Sequence, residues 1–343
     1  MASSIETTST TTTLKNNGNT YMSVDTNDVV TMNVASLNGG QLGGNRNLII
    51  NGDFNIWQRG TAETALSQNY KADRWGKMQY QSALHSRQAF VASGTHPENS
   101  QYVLRASGDA TTALSRIQTA QGVESVNCIP LRGKTITLSL YLRCVSATMP
   151  TSSLSNLNVV VGSTAATADG SFLTTTYVAG GNASVVIAQG SLPTTWTKYT
   201  VTYTVPTNTN NIAAYVGFSG NVDAGTGDWY EISQVQIEEG TVATPFEHRS
   251  YGTELALCQR YYAVDYDGSY RTYVSNVIRF VQAHPVVMRA TPTLTVTYTV
   301  SSGFGSHSAS ANSHFFKWDA QYPGGGGGVM DLSALLAVSS AEL

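Results

Sequence analysis

KTITLSLYLR, residues 134–143, decides the fold. Ile136, Leu138, Leu140 and Leu142 take the even positions, while Thr137, Ser139 and Arg143, with Tyr141 among them, take the odd ones. Successive side chains of a strand point to opposite faces, so this spacing predicts a strand buried on one side. TTWTKYTVTYTVP (194–206) repeats the pattern, with Tyr199, Val201, Tyr203 and Val205 set against Lys198, Thr200, Thr202 and Thr204, and Pro206 ending the run. Further apolar runs at 102–105, 157–161, 183–188, 212–218 and 229–237 are separated by Gly, Asn, Asp and Pro. Short strands at such spacing predict an all-β antiparallel jelly-roll sandwich.

Composition agrees. Charged residues make up 12% of the chain, against about a quarter in an average protein. Thr, Ser, Asn and Gly are plentiful, which favours strands and turns over helices. A net charge of -3 with 19 scattered Lys and Arg supplies no basic field for phosphates, so nucleic acid is not an expected partner. The opening MASSIETTSTTTT lacks the basic start and apolar centre of a secretory signal, and no apolar run reaches membrane-spanning length. Assembly in the cytoplasm without membrane insertion is the expectation. Cys128, Cys144 and Cys258 form no C-x-x-C pair and are expected to be free, buried thiols.

At 343 residues the chain exceeds what one core usually organises. Three parts are expected: an N-terminal arm and hairpin (1–45), a jelly roll (46–249), and a short bridging helix with a smaller C-terminal β-domain (250–343). The first 13 residues are polar Ser and Thr, expected to be flexible. TYMSVDTNDVVTMNV (20–34) reads as a hairpin turning at 25–28, and NGGQLGGN (38–45) as a linker. In GTELALCQRYY (252–262) Leu255, Cys258 and Tyr262 recur at helical spacing. TLTVTYTV (293–300) alternates again, and Pro323 with Gly324 to Gly328 predicts a surface loop before a last strand at 330–338.

Four motifs stand in order along this pattern: NLIINGDFNIWQRG (47–60), YKADRW (70–75), RGKTITLSLYLR (132–143) and QVQIEEGTVATPFEHRSYGTELALCQRYY (234–262). Together they resemble a domain of tail-fibre and related virion proteins of tailed bacteriophages, itself similar to a carbohydrate-binding-module jelly roll. The resemblance implies a virion structural protein and not an enzyme: a trimeric tail fibre or fibre-like appendage, assembled in the host cytoplasm. Its partners would be its own copies, other virion proteins through the N-terminal arm, and a host-surface glycan or receptor. A capsid decoration or cement protein is the alternative, and a polysaccharide depolymerase a further one. Carbohydrate modules of this kind often carry a structural calcium ion. The matching positions here are Asp53 and Asn55 near the first strand and Glu231, Ser233 and Gln234 near the last, and several are not the acids that a calcium site wants. No cofactor is expected.

Sugar binding needs aromatic faces rimmed by polar groups. Trp57 and Trp75 sit within the motifs and are expected in the core. Trp196 and Trp229, at strand ends, are the surface candidates, joined by Tyr177, Tyr230, Tyr266, Tyr270, Tyr273 and Trp318. The C-terminal domain is expected to carry receptor specificity, through loops at 266–273 and 307–328. Catalytic patterns are missing: RGKT lacks the first glycine of a phosphate loop, no G-x-S-x-G occurs, and the six histidines are dispersed. Asp223, Asp228, Glu231, Glu238 and Glu239 read as solvated charges, and TPFEHR as a junction with Phe246 buried and Glu247 or Arg249 paired.

Overall fold

The structure, a computed structural model, describes residues 3–7, 11–16, 19–25, 30–32, 45–63, 70–77, 84–94, 96–108, 117–149, 156–166, 181–218, 227–274, 277–302, 307–321 and 328–342. The chain divides into two compact units, Met1–Arg46 and Asn47–Leu343.

The first unit is one antiparallel sheet, ordered β1 (Ser3–Thr7), β2 (Thr11–Asn16), β3 (Asn19–Asp25) and β4 (Val30–Met32). The expected hairpin forms, pairing Val24 with Val30 and Met22 with Met32. The stretch expected to be flexible instead supplies β1 and β2. Thr is a strand former by its β-branch, and the register sets Ile5 opposite Leu14, so pairing overrides low complexity. The linker at 38–45 lies outside the described residues except Asn45.

The second unit begins with the sandwich. Its strands are β5 (Leu84–Ala89), β6 (Tyr102–Ser107), β7 (Gln118–Val123), β8 (Thr135–Cys144), β9 (Leu157–Thr164), β10 (Asn182–Ile187), β11 (Thr197–Thr204), β12 (Asn211–Phe218) and β13 (Trp229–Glu239), with a one-turn helix α1 (Ser125–Cys128) after β7. One sheet runs β10-β9-β12-β7 and the other β11-β8-β13-β6-β5, with antiparallel pairing throughout, which makes an antiparallel jelly roll. The four even positions of β8 are fully buried, as their alternation requires, and meet Val159, Val161, Ile212 and Val216 of the facing sheet in one core. Cys128, Cys144 and Cys258 are free and buried.

The motifs prove to be the clasp of this sandwich. Leu48 N donates to Ile237 O, and Val235 N donates to Gly52 O at a bulge in β13. A Cβ on Gly52 would stand 2.1 Å from Val235 O, so only glycine lets the two backbones approach. Asn51 Nδ2 donates to Ile56 O and Asp73 O, and the indoles of Trp57 and Trp75 donate to Phe54 O and Asn51 O. Both tryptophans are in the core as expected. RGKT opens a strand, and Arg132 binds Thr209 O and Asn210 Oδ1.

Ser250 caps helix α2 (Tyr251–Gln259) at the expected place, its hydroxyl accepting from Thr253 N. Then follow β14 (Tyr262–Val274), β15 (Val277–Ala283), β16 (Thr293–Ser302), β17 (His307–Ala311), β18 (Phe315–Gln321) and β19 (Gly328–Ser340), in two sheets ordered β14-β19-β16 and β15-β18-β17. Residues 266–273 and most of 307–321 are therefore strand and not loop. Pairing of β14 with β19 across more than sixty residues orders a stretch whose Asp and Gly content reads as a turn. The glycine stretch at 322–327 lies outside the described residues.

Buried ion pairs lock this part to the sandwich. Glu342 accepts from Arg59 at 2.9 Å and from Arg74 at 2.7 Å, while Asp73 holds Arg59 at 3.0 Å. The guanidiniums of Arg59 and Arg74 lie 3.5 Å from the ring centres of Tyr262 and Tyr261. Glu247 accepts from Asn47 N, and Arg249 reaches Glu254 on α2, so the expected pairing across the junction is present. Phe246 is half-buried against His248 instead of buried, because it lies in the irregular segment after β13 ends at Glu239.

Candidate functional site

Alternation along β13 sends Tyr230 and Ile232 into the core and turns Trp229, Glu231 and Ser233 to the outer face of the five-stranded sheet. The register then places Arg105 of β6 and Arg143 of β8 on either side of Glu231. Glu231 Oε1 accepts from Arg105 Nε at 2.9 Å and Nη2 at 2.6 Å, and Oε2 accepts from Arg143 Nε at 2.6 Å. The Glu231 side chain is 0% exposed, and those of Arg105 and Arg143 are 28% and 13% exposed. Two cations share one anion, so the cluster keeps one positive charge.

Aromatic rings fix the guanidiniums. Arg105 Cζ lies 4.1 Å from the Trp229 ring centre, and Arg143 Cζ lies 5.8 Å from Trp229 and 5.0 Å from Trp196. Arg143 is thus set between two indoles, and among the described residues its terminal Nη groups meet no protein acceptor. Tyr141, facing Ser233 in the register, extends the band toward Lys198, whose ammonium is 5.9 Å from the tyrosine ring. Burial, then the nearby Glu98 carboxylate, raises the Tyr141 hydroxyl above its usual value. A half-exposed indole beside held arginines can take the apolar face of a pyranose and the acid group of the same sugar.

The structure revises most of the sequence candidates. Trp196 is 1% exposed, because residues 90–94 fold over it and Val91 O accepts its indole N–H. Tyr230 is a core residue whose hydroxyl donates to Val216 O, and Trp318 is buried in the β15-β18-β17 sheet, so neither presents a face to a ligand. Tyr266, Tyr270 and Tyr273 lie on β14, where the backbone alone is described. Tyr177 and Asp223 lie outside the described residues. Trp229 is the remaining half-exposed candidate, and Arg105, Arg143 and Tyr141 are what the sequence reading missed. Only strand pairing over 88 to 126 residues of separation reveals them. The acids also differ from expectation: Asp228, Glu231 and Glu238 are buried, because β13 runs through the middle of its sheet. Glu238 accepts from Thr244 N and Oγ1, while Glu239 stays exposed and pairs with Lys134.

The two regions implied for calcium do meet. Asp53 Oδ1 accepts from Ser100 Oγ at 2.6 Å and from Ser233 Oγ at 3.1 Å, and Gln234 Nε2 donates to Glu98 O and Ser100 Oγ. Hydroxyls and an amide thus surround a single carboxylate, and Glu231 is held elsewhere by its arginines. Burial pushes Asp53 up to about 6. The donor set does not fit calcium, which wants several carboxylate oxygens. No group of three or more His, Cys, Asp or Glu placed to hold a metal ion occurs among the described residues.

No protein-family model and no curated protein matches the chain. Among solved structures, it is similar to the enzymatically active domain of tailspike protein 4 of bacteriophage CBA120, at 11% identity and a TM-score of 0.36 over 59% of this chain and 22% of that one. The chain thus spans about a fifth of that tailspike's length. It is also similar to a family 22 carbohydrate-binding module of Clostridium thermocellum Xyn10B (11% identity, TM-score 0.33, 59% of this chain and 99% of that one). A third is the CBM22-1 xylan-binding domain of Paenibacillus barcinonensis Xyn10C (12%, 0.31, 57% and 96%). Likeness at this level says nothing of function, and the jelly-roll assignment rests on the sheet orders above.

Proposed function

We propose that the chain is a non-catalytic attachment protein of a virion, a tail fibre or fibre-like appendage, which holds acidic glycans of the host surface on the outer face of its five-stranded sheet. One observation carries the ligand class: Glu231 fixes Arg105 and Arg143 around the half-exposed Trp229, leaving the Arg143 Nη groups without a protein acceptor among the described residues. Glu231 accepts three hydrogen bonds from arginine, a role that favours orientation over proton transfer and supports a binding site over an active site.

The virion assignment rests on the four ordered motifs, which the fold explains as the clasp of the sandwich. Association into trimers is supported by the first unit, where Ile5 (70% exposed) lies opposite Leu14 (43% exposed) on a sheet whose outer strands β1 and β4 pair with no further strand among the described residues. Binding of the full chain to an array of uronic-acid, sialylated and neutral glycans tests the ligand class. Signal confined to the acidic glycans is expected; equal binding to neutral glucans, or none to any acidic glycan, overturns the reading.

A further inference from the structure

A cleft of about 420 Å³ opens at one end of the sandwich, between the 51–55 turn, the strand β6 entry and the segment leading into α2. Its volume falls within the roughly 300 to 1,000 Å³ typical of small-molecule sites. It is lined by different residues from the Trp229 face.

At its base lies Asp53, 7% exposed. The serine hydroxyls hold Oδ1, which leaves Oδ2 toward the cleft with a long contact of 3.4 Å from Asn55 Nδ2 and with His248 Nδ1 at 3.9 Å. Burial lowers the His248 pKa, so the ring is neutral at pH 7 and is no counter-ion. Arg87 also lines the cleft. Its guanidinium lies over the Tyr102 ring, 4.2 Å from the ring centre, and, among the described residues, meets no acceptor. The side chains of Asn99 and Gln101 line the cleft and likewise have no protein partner among the described residues.

The cleft therefore offers both signs: Arg87, Asn99 and Gln101 as side chains without a protein partner among the described residues, and Asp53 Oδ2 with only the long contact from Asn55. A carboxylic ligand would meet Asp53, and an ammonium would meet Arg87. A hydroxyl both donates and accepts, so a run of adjacent hydroxyls satisfies Asp53 Oδ2 and Arg87 together. We infer that this cleft is a second binding site, selective for a neutral polyhydroxyl ligand, with Asp53 accepting from one hydroxyl and Arg87 donating to its neighbours. The site works independently of the outer sheet face.

Saturation-transfer NMR and calorimetry on the full chain test this, with methyl α-D-galactopyranoside, methyl α-D-glucopyranoside and the acyclic polyol glucitol as probes. At least one probe binds, and a preference between pyranoside and glucitol tells whether the source is a sugar ring or an open-chain polyol. D53N keeps an oxygen for Ser100 and Ser233 but loses the charge, and R87A removes a partly exposed side chain. Each is expected to weaken binding about tenfold or more, while K134A, at an exposed lysine outside both sites, leaves it unchanged. No binding of any probe to the wild type overturns the proposal, as does unchanged binding in both D53N and R87A. Loss in W229A alone would also overturn it, by moving the ligand to the sheet face.

Discussion

Asp53→Asn should stabilise the protein at neutral pH and leave it unchanged in acid. Burial raises the Asp53 carboxyl from 3.8 to about 6, against the opposing hydrogen bonds of Ser100, Ser233 and Asn55, with Glu254 adding repulsion. A folded-state value above the unfolded one means that the native protein binds more protons between those two values, so stability falls as pH rises through that window. Below about pH 4 both states are protonated and the carboxyl costs nothing. Above about pH 7 the full difference applies, about 3 kcal/mol at 1.36 kcal/mol per pKa unit. Asparagine cannot ionise, and its amide oxygen still accepts from the two serines, so the variant escapes that cost. Urea unfolding of wild type and D53N at intervals from pH 3.5 to 8 reads the effect directly. The expected stability difference is near zero at pH 3.5 and grows to between about 1 and 3 kcal/mol in favour of D53N at pH 8. A difference independent of pH, or a variant less stable at pH 8, would refute the reasoning.

Gly52→Ala places a Cβ 2.1 Å from Val235 O, so the clasp between the first segment and β13 must open. A loss of roughly 2 to 4 kcal/mol in chemical denaturation is expected, and a change under 0.5 kcal/mol would contradict the close approach. Glu342→Gln removes the charge shared by Arg59 and Arg74, the latter only 1% exposed. Losing one partner of a buried pair costs about 3 kcal/mol, and limited proteolysis should then cut preferentially after residue 250.

The sequence made the sandwich legible wherever apolar and polar residues alternate along a strand, as in β8 and β11, and in β11 the polar face is wet. β7, QTAQGV, gave no such signal because it is buried on both faces while remaining polar: Gln118 Nε2 donates to Phe218 O, and Thr119 meets His85 and the Tyr230 hydroxyl. The Thr-rich start reads as flexible because composition cannot show that Ile5 and Leu14 pair. For the site, aromatic content pointed to strand-end tryptophans but not to which of them a loop would cover. Trp196 lies under residues 90–94 and Trp229 does not, a difference made by tertiary packing. The Arg105, Glu231 and Arg143 cluster exists only through the register of three strands.

Calorimetric titration of the full chain with polygalacturonate, comparing wild type with R143Q and W229A at low and physiological salt, tests the central claim most directly. The account predicts binding that weakens with salt as surface charges are screened, and that falls at least about tenfold in both variants, for loss of a charge-assisted contact in one and of the aromatic face in the other. Circular dichroism should show the same strand content in all three proteins. Polygalacturonate binding that survives unchanged in both folded variants would contradict the assignment of the sheet face as the glycan site.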